Sequence, residues 1–297
     1  MIASFRKDRQ FLARTHFTSF VVMSVLNLTL CFFGDINSND LLWYLPLVLI
    51  LSTTKIQLVV GCFIYATIVS IFRPDFDPVY LLAVPIATIA TFPLTAFLHN
   101  ASHGSFSPKW LNRPIGEVVG VMQLSGFAQW KIVHVVHHMH SDDPQLDPHP
   151  PLSKGYWEFT SGMRDSAINA YVKFFFKTHG QDSQSLAAIK QFGHAAKLDQ
   201  SARVLFWLLL LGPQLFTFLF LSSIVFKMFH YAWFNYSTHR PMGSSAEIQN
   251  LNTRLFYRLV NTIAFGLYFH KNHHLVPTLF DPRTLQKDPA EEKPIAA

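Results

Sequence analysis

Four long apolar runs limit what this chain can become. They are FTSFVVMSVLNLTLCFF (17–33), IQLVVGCFIYATIVSIF (56–72), VYLLAVPIATIATFPLTAFL (79–98) and VLFWLLLLGPQLFTFLFL (204–221). Each approaches the roughly 20 apolar residues that cross a bilayer as an α-helix. Charged residues make up only 14% of the chain, against about 25% in a soluble domain, so the chain reads as an integral membrane protein. We expect crossings near 17–34, 41–53, 56–72 and 79–98, and a tight hairpin of two more across 204–238. The fold class is all-α: a membrane helical bundle of four to six crossings. The second crossing is short and demands tilt or local thinning. Lys227 falls inside the hairpin, where a charge at mid-bilayer costs about 2.5–3.5 kcal/mol; it belongs near the turn or snorkelling to an edge.

The net charge is +6. No basic stripe interleaved with aromatics accompanies it, which argues against a nucleic-acid partner. The charges instead alternate between the apolar runs. Arg6, Lys7, Arg9 and Arg14 are basic, GDINSND (34–40) is acidic, RPDFDP (73–78) is net acidic, and Lys109 and Arg113 are basic again. Positive loops stay on the cytoplasmic side, so the N-terminus and the region after residue 98 share that side. The basic start followed by apolar sequence resembles a signal peptide, but the apolar run is too long and no small-residue cleavage site follows, so it reads as a first membrane helix. Cys31 and Cys62 both sit inside apolar runs and make neither a CxxC motif nor a disulfide framework.

Between the apolar runs lie histidine clusters. HNASH contributes His99 and His103, HVVHH contributes His134, His137 and His138, NYSTH ends in His239, and HKNHH contributes His270, His273 and His274. Residues three and four apart share one helix face, so each pair can grip one ion. Neighbours such as His137 and His138 point about 100° apart and suit two adjacent ions better than one. Imidazole without thiolate fits iron, zinc, copper or nickel. A di-iron or di-zinc centre follows, and the membrane location favours iron, because zinc has no redox chemistry. A lone histidine at a membrane edge is usually a packed polar residue; three spaced boxes and a fourth histidine are not explained that way.

These motifs resemble the membrane fatty acid desaturase and hydroxylase superfamily, which also holds carotenoid ketolases and alkane hydroxylases. The match runs from HNASHGSF through Asn112, Gly116 and Trp130 to HVVHHMHSDDPQLDP, then resumes at NYSTHRPMG and GLYFHKNHHLVP. The resemblance implies a helical membrane domain with a cytoplasmic helical cap around two non-haem iron ions, with O2 as co-substrate. It makes His99, His103, His134, His137, His138, His239, His270, His273 and His274 the metal ligands, and Asn235 the partner of an iron-bound water. His140 and Asp147 are expected behind the ligands, hydrogen-bonded to them, with Asp143 an equal candidate. His149, His179, His194 and His230 match no box and read as ordinary polar residues.

One domain over 1–297 is expected. It comprises a cytoplasmic N-terminus (1–16), membrane helices (17–98), a cap with the first two boxes (99–203), the hairpin (204–238), the third-box region (239–282) and a flexible tail (283–297). Within the cap, 166–180 suits a helix on the membrane surface, walling a substrate entrance, docking a donor or simply covering the cap. The leading activity is desaturation of a fatty acyl lipid drawn from the membrane. Carotenoid ketolation or hydroxylation is the alternative, supported by FNYSTHRP, together with lipid or alkane hydroxylation. A divalent-metal transporter is the distant one, because transporters place their polar sites near mid-bilayer. No HPGG stretch or Cys-rich segment is present, so a separate electron donor of ferredoxin, rubredoxin or cytochrome b5 type is implied. The membrane would be the plasma or inner membrane of a bacterium, or the endoplasmic reticulum of a eukaryote.

Overall fold

The computed structural model describes residues 1–34, 38–53, 55–151, 154–239, 241–242 and 245–285. Arg240, Asp35 and the tail from residue 286, all invoked above, lie outside the described residues. The helices are α1 (Ile2–Lys7), α2 (Phe11–Phe33), α3 (Ser38–Leu51), α4 (Ile56–Ile71), α5 (Ala83–His103), α6 (Asn112–Met122), α7 (Phe127–Met139), α8 (Tyr156–His179), α9 (Ser183–Leu215), α10 (Ser222–Thr238), α11 (Leu255–Ile263) and α12 (His270–Leu275). Among the described residues the extended pairings are a two-residue antiparallel pair, Pro241–Met242 with Ser245–Ala246, and an isolated bridge between Asn250 and Phe269.

Among the described residues, three stretches are long and apolar enough to cross a membrane: Phe11–Phe33, Pro78–His103 and Ser183–Thr238. Their outward faces carry bare apolar side chains such as Val25, Leu28, Phe33, Ile86 and Ile89, which a lipid environment covers favourably. The helices α3 and α4 are shorter, with 14 and 16 residues. They pack as a pair against the third stretch, joining Tyr44, Leu47 and Ala66 to Leu208 and Phe216. The Tyr44 hydroxyl lies 2.7 Å from Ser70 Oγ, which donates to Thr217 Oγ1 at 3.0 Å, so these three hydroxyls are satisfied within the apolar core.

The third stretch is bent into a hairpin. Trp207 and Phe220 are 13 positions apart, about 20 Å along a straight helix, yet their rings stack at 5.2 Å. The reversal falls at Gly212, with φ 68° and ψ 168°, a conformation open to glycine but not to side chains that carry a Cβ. Pro213 then opens the returning segment, where its missing N–H does no harm, and a π-helical turn (Phe216–Leu221) leads into α10. The boundary expected at residue 203 falls inside α9. Lys227 neither sits at the turn nor snorkels. Its ammonium folds inward and donates to the Gln123 carbonyl at 2.6 Å and Ser125 Oγ at 2.9 Å, in the loop joining α6 to α7.

One end of the bundle is sealed by the remaining elements. Phe5 and Leu12 pack with Ile132 and Val136 of α7 and Phe175 of α8, so the start of α2 lies at the same end as the second histidine box. Segment 166–180 is the second half of α8; Ala170, Tyr171, Phe174 and Phe175 turn inward while Lys173 reaches the Gln145 carbonyl at 3.1 Å. Phe92, Phe234, Tyr257 and Tyr268 form the core under α11 and α12.

Candidate metal centre

Each histidine box occupies a helix end. His99 and His103 form the last turn of α5, which stops at Gly104 in the left-handed region (φ 75°). Past that turn Asn112 closes a loop: its carboxamide accepts from Phe106 N at 3.0 Å and donates to the Phe106 and Lys109 carbonyls. His134, His137 and His138 line the last turns of α7. His239 follows α10 directly. His270, His273 and His274 make up half of α12, a six-residue helix too short to hold itself. Asparagines hold it instead. Asn250 donates to Asn272 Oδ1 at 2.8 Å and Asn272 donates to the Pro282 carbonyl at 3.0 Å. Asn100, inside the first box, reaches the Phe280 carbonyl at 2.9 Å.

The nine histidines of the boxes converge into two adjacent groups. His99, His103, His134, His138 and His273 form one; His137, His239, His270 and His274 form the other. Within each, one ligand atom per residue lies within 4.8 Å of the rest. Neighbours in sequence part company as their 100° separation demands: His138 and His273 enter the first group, His137 and His274 the second. The two groups touch where the rings of His138 and His274 stack at 4.2 Å.

The nitrogens face one another, not oxygens. Nε2 of His134 is 2.6 Å from that of His103 and 3.2 Å from that of His138, which is 3.0 Å from that of His273. In the second group, Nε2 of His270 is 2.8 Å from that of His239 and 3.1 Å from that of His274. An imidazole nitrogen offers either one proton or one lone pair. His134, His138 and His270, each facing two others, cannot make full hydrogen bonds to both. Nε2 of His99 and of His137 are buried with no partner at all. A cation among the lone pairs resolves this conflict. Nitrogens at the usual ~2.1 Å from a metal stand about 3 Å apart at right angles, close to the spacing here, so the residues present fit a pair of metal ions.

Protonation favours the same outcome. Burial, and then the neighbouring imidazoles, push His134, His270 and His273 well below the ordinary histidine range and His138 down to about 3. These rings are neutral, the form that binds metal. Asp147 accepts from Nδ1 of His137 at 2.9 Å, from Asp142 N at 2.6 Å and from His149 N at 2.8 Å. Burial raises its carboxyl, but these bonds and the His137 and His149 rings outweigh that and hold it at about 2. An ionised carboxylate only accepts, so the His137 proton sits on Nδ1 and the Nε2 lone pair is free.

The other expected residues divide. Asn235 is buried one turn before His239, and its amide donates to the Tyr231 carbonyl at 2.8 Å. His140 caps α7 and enters neither group. The Asp143 carboxylate accepts from Gln145 N and Leu146 N, holding the turn. Asp142, passed over in the sequence, lies 3.3 Å from Nδ1 of His239 and orients it as Asp147 orients His137. His149, which matches no box, is buried beside Asp147. Trp130 stacks on His134 and the Phe234 ring meets His270 edge-on at 4.6 Å, so aromatic walls close both groups.

The family model for fatty acid desaturase matches residues 78–283, which spans every box. The chain belongs to the fatty acid desaturase family. Among curated proteins, this desaturase-family chain is 28% identical over 178 residues to the sn-1 stearoyl-lipid 9-desaturase of Anabaena variabilis, covering 58% of this chain and 62% of that protein. It is also 28% identical over 182 residues to the sn-2 palmitoyl-lipid 9-desaturase of Nostoc sp. (strain 36), covering 59% and 61%. The chain thus spans about three fifths of the length of the curated relatives it matches. No solved structure matches it.

Proposed function

We propose that this chain is an O2-dependent, non-haem di-iron desaturase that introduces a double bond into a fatty acyl lipid in the membrane. One observation carries the reading: nine histidines from four separate boxes gather into two adjacent groups at the end of an apolar helical bundle. The acyl-lipid 9-desaturase names of the two relatives support a lipid substrate.

When bound, a pair of irons would supply the redox chemistry that dioxygen activation and C–H cleavage need. The chain supplies the setting. His99, His103, His134, His138 and His273 would hold one ion; His137, His239, His270 and His274 would hold the other. Asp147 and Asp142 keep protons on the outer nitrogens of His137 and His239, and Asn235 stands beside the second group for a water or substrate contact. Trp130 and Phe234 exclude bulk water. A substrate held by such walls reacts at the carbon the protein positions. The overall reaction balances as one acyl –CH2–CH2– unit, O2, two electrons and two protons giving –CH=CH– and two waters. The two electrons come from a separate donor of ferredoxin, rubredoxin or cytochrome b5 type. The metal groups and the start of α2 would face the cytoplasm.

The groups stand at helix ends rather than midway along the spans, which favours a resident metal over a transported one. The HRP segment, which resembles that of carotenoid ketolases, includes Arg240, outside the described residues. The test is expression in a host that supplies a reductase, with iron analysis of the purified chain and profiling of acyl lipids and carotenoids. Two irons per chain and new unsaturated acyl chains are expected. Abundant zinc without iron under iron-replete growth, or modified carotenoids with unchanged acyl chains, would defeat the reading.

A further inference from the structure

Away from the histidines, a groove of about 750 Å³ runs between α2, α6 and α9. None of its lining residues belongs to either metal group. Its size is that of a small-molecule site, and its chemistry is graded. On α2 the lining passes from Arg14, Thr15, Thr18 and Ser19 to Val22, Met23 and Leu26. On α6 it passes from Arg113 and Glu117 to Val118, Val121 and Met122. On α9 it passes from Arg203 to Phe206 and Leu210. Apart from Phe11 at the very start of α2, the three elements place their charged residues first and their apolar residues after. From Arg14 to Leu26 the face extends about 18 Å along α2, a length that suits an acyl chain.

The polar end is cationic in composition: three arginines line it with one carboxylate. Arg203 is taken up by Asp199 and Ser19. Arg14 pairs with Asp8, and Arg113 meets Glu117 only at 4.0 Å with its side chain 75% exposed. Guanidinium groups on exposed side chains match phosphate in a forked geometry. The polar end lies at the start of α2, the end of the bundle that Phe5 and Leu12 tie to α7, where lipid headgroups meet a spanning helix. At the far end Val22, Leu26, Val118 and Leu210 remain 41–61% exposed, open to lipid from the side.

We infer that this groove binds one anionic phospholipid, its phosphate held by Arg14 and Arg113 and one acyl chain laid along Val22, Leu26, Val118 and Leu210. The site is separate from the metal groups and holds a lipid as a bound partner, not at the reacting position.

The test uses the full chain, stripped of lipid in detergent and offered an equimolar mixture of phosphatidylglycerol, phosphatidylcholine and free oleate, with bound species counted by native mass spectrometry. One phosphatidylglycerol per chain is expected, preferred about tenfold over phosphatidylcholine, whose phosphate is the same but whose choline ammonium is repelled by Arg14 and Arg113. Arg14→Gln with Arg113→Gln should remove the headgroup preference. Leu210→Trp, which fills the groove without touching its charges, should reduce retention of both phospholipids. Thermal melting confirms that each variant is folded, and Leu210→Trp keeps the test decisive if the arginine variant is not. Equal retention of the two phospholipids by the unaltered chain would identify ordinary surrounding lipid and overturn the inference. So would retention of oleate alone, or phospholipid retention that survives Leu210→Trp.

Discussion

His137 Nδ1 stands 2.9 Å from Asp147 Oδ1, with both side chains almost wholly buried. The carboxylate has no spare acceptor on that side: Oδ1 also takes the His149 N–H and Oδ2 takes the Asp142 N–H. Asp147→Asn therefore puts an NH2 group where a donor already points. Either the amide turns its NH2 towards His137, which then loses its fixed tautomer, or it keeps its oxygen there and leaves Asp142 N facing a donor. Metal affinity at the second group should fall about 10- to 100-fold, the usual cost of losing an outer-shell partner. Iron titration against a competing chelator measures this. Unchanged affinity would remove Asp147 from the site.

Acid should weaken the protein before any metal is considered. The folded-state pKa is depressed at His134, His270 and His273, and at His138 and His149 down to about 3, by burial in each case and by neighbouring imidazoles or opposed by Asp147. In the unfolded chain these rings titrate near 6.5. Each is neutral in both states above that value, so its contribution is fully present there. As pH falls from about 6.5 towards 3 the unfolded chain takes up protons the folded one refuses, and stability falls. The thermal midpoint of the metal-free protein should drop steadily from pH 7 to pH 5, and bound metal should be released over the same direction of change. A flat midpoint across that interval would contradict the neutral-ring assignment.

Much of this centre was legible because helix geometry is local. The spacing of HVVHH and HKNHH sets which rings share a face, and the split of adjacent histidines between two groups needs nothing beyond the helical turn. The apolar runs at 17–33, 79–98 and 204–221 likewise fall within the three candidate spans, whereas the crossings expected at 41–53 and 56–72 are shorter helices. Contacts decided by loops were not legible. Asp142, Asp143 and Asp147 share one turn-rich segment. Asp142 reaches His239 because its backbone is left-handed, at φ 65°, while Asp143 turns onto its own loop. Lys227 offers only a misplaced charge in the sequence; its partners at Gln123 and Ser125 come from another part of the chain. The asparagine clamp on α12 is equally long-range. Asp143→Asn should therefore leave metal content intact while Asp142→Ala lowers it.

Gly116 tests the packing that positions α7. An added Cβ there would lie 2.4 Å from the ring of Phe127. Two effects compete. Alanine is favoured over glycine inside a helix by up to about 1 kcal/mol, whereas overpacking a core costs about 1–3 kcal/mol. The ring decides the sign, because Phe127 is 2% exposed and packed among Leu98, Ala101 and Val119. It has no room to swing aside. Gly116→Ala should lower the thermal midpoint in detergent, and adding Phe127→Leu should recover part of the loss. A rise on the single substitution would show that α6 and α7 separate freely.

The ion pair in α9 gives the last prediction. Arg203 Nε donates to Asp199 Oδ1 at 2.9 Å, and the two side chains are 2% and 0% exposed. Ser19 Oγ donates to the same carboxylate at 2.6 Å and accepts from Arg203 at 2.8 Å; His16 Nδ1 is 2.7 Å from its other oxygen. Asp199→Ala strands a buried guanidinium, a loss of about 3–5 kcal/mol. Replacing both charges, as in Asp199→Leu with Arg203→Met, removes the stranded charge as well as the bond and refills the volume. The double variant should therefore be more stable than Asp199→Ala, though it still leaves His16 and Ser19 without their shared acceptor. Chemical denaturation of the three proteins in one detergent reads the difference. A double variant less stable than the single one would mean that Arg203 finds adequate partners without Asp199, chiefly Ser19 and the Ser125 carbonyl at 3.4 Å.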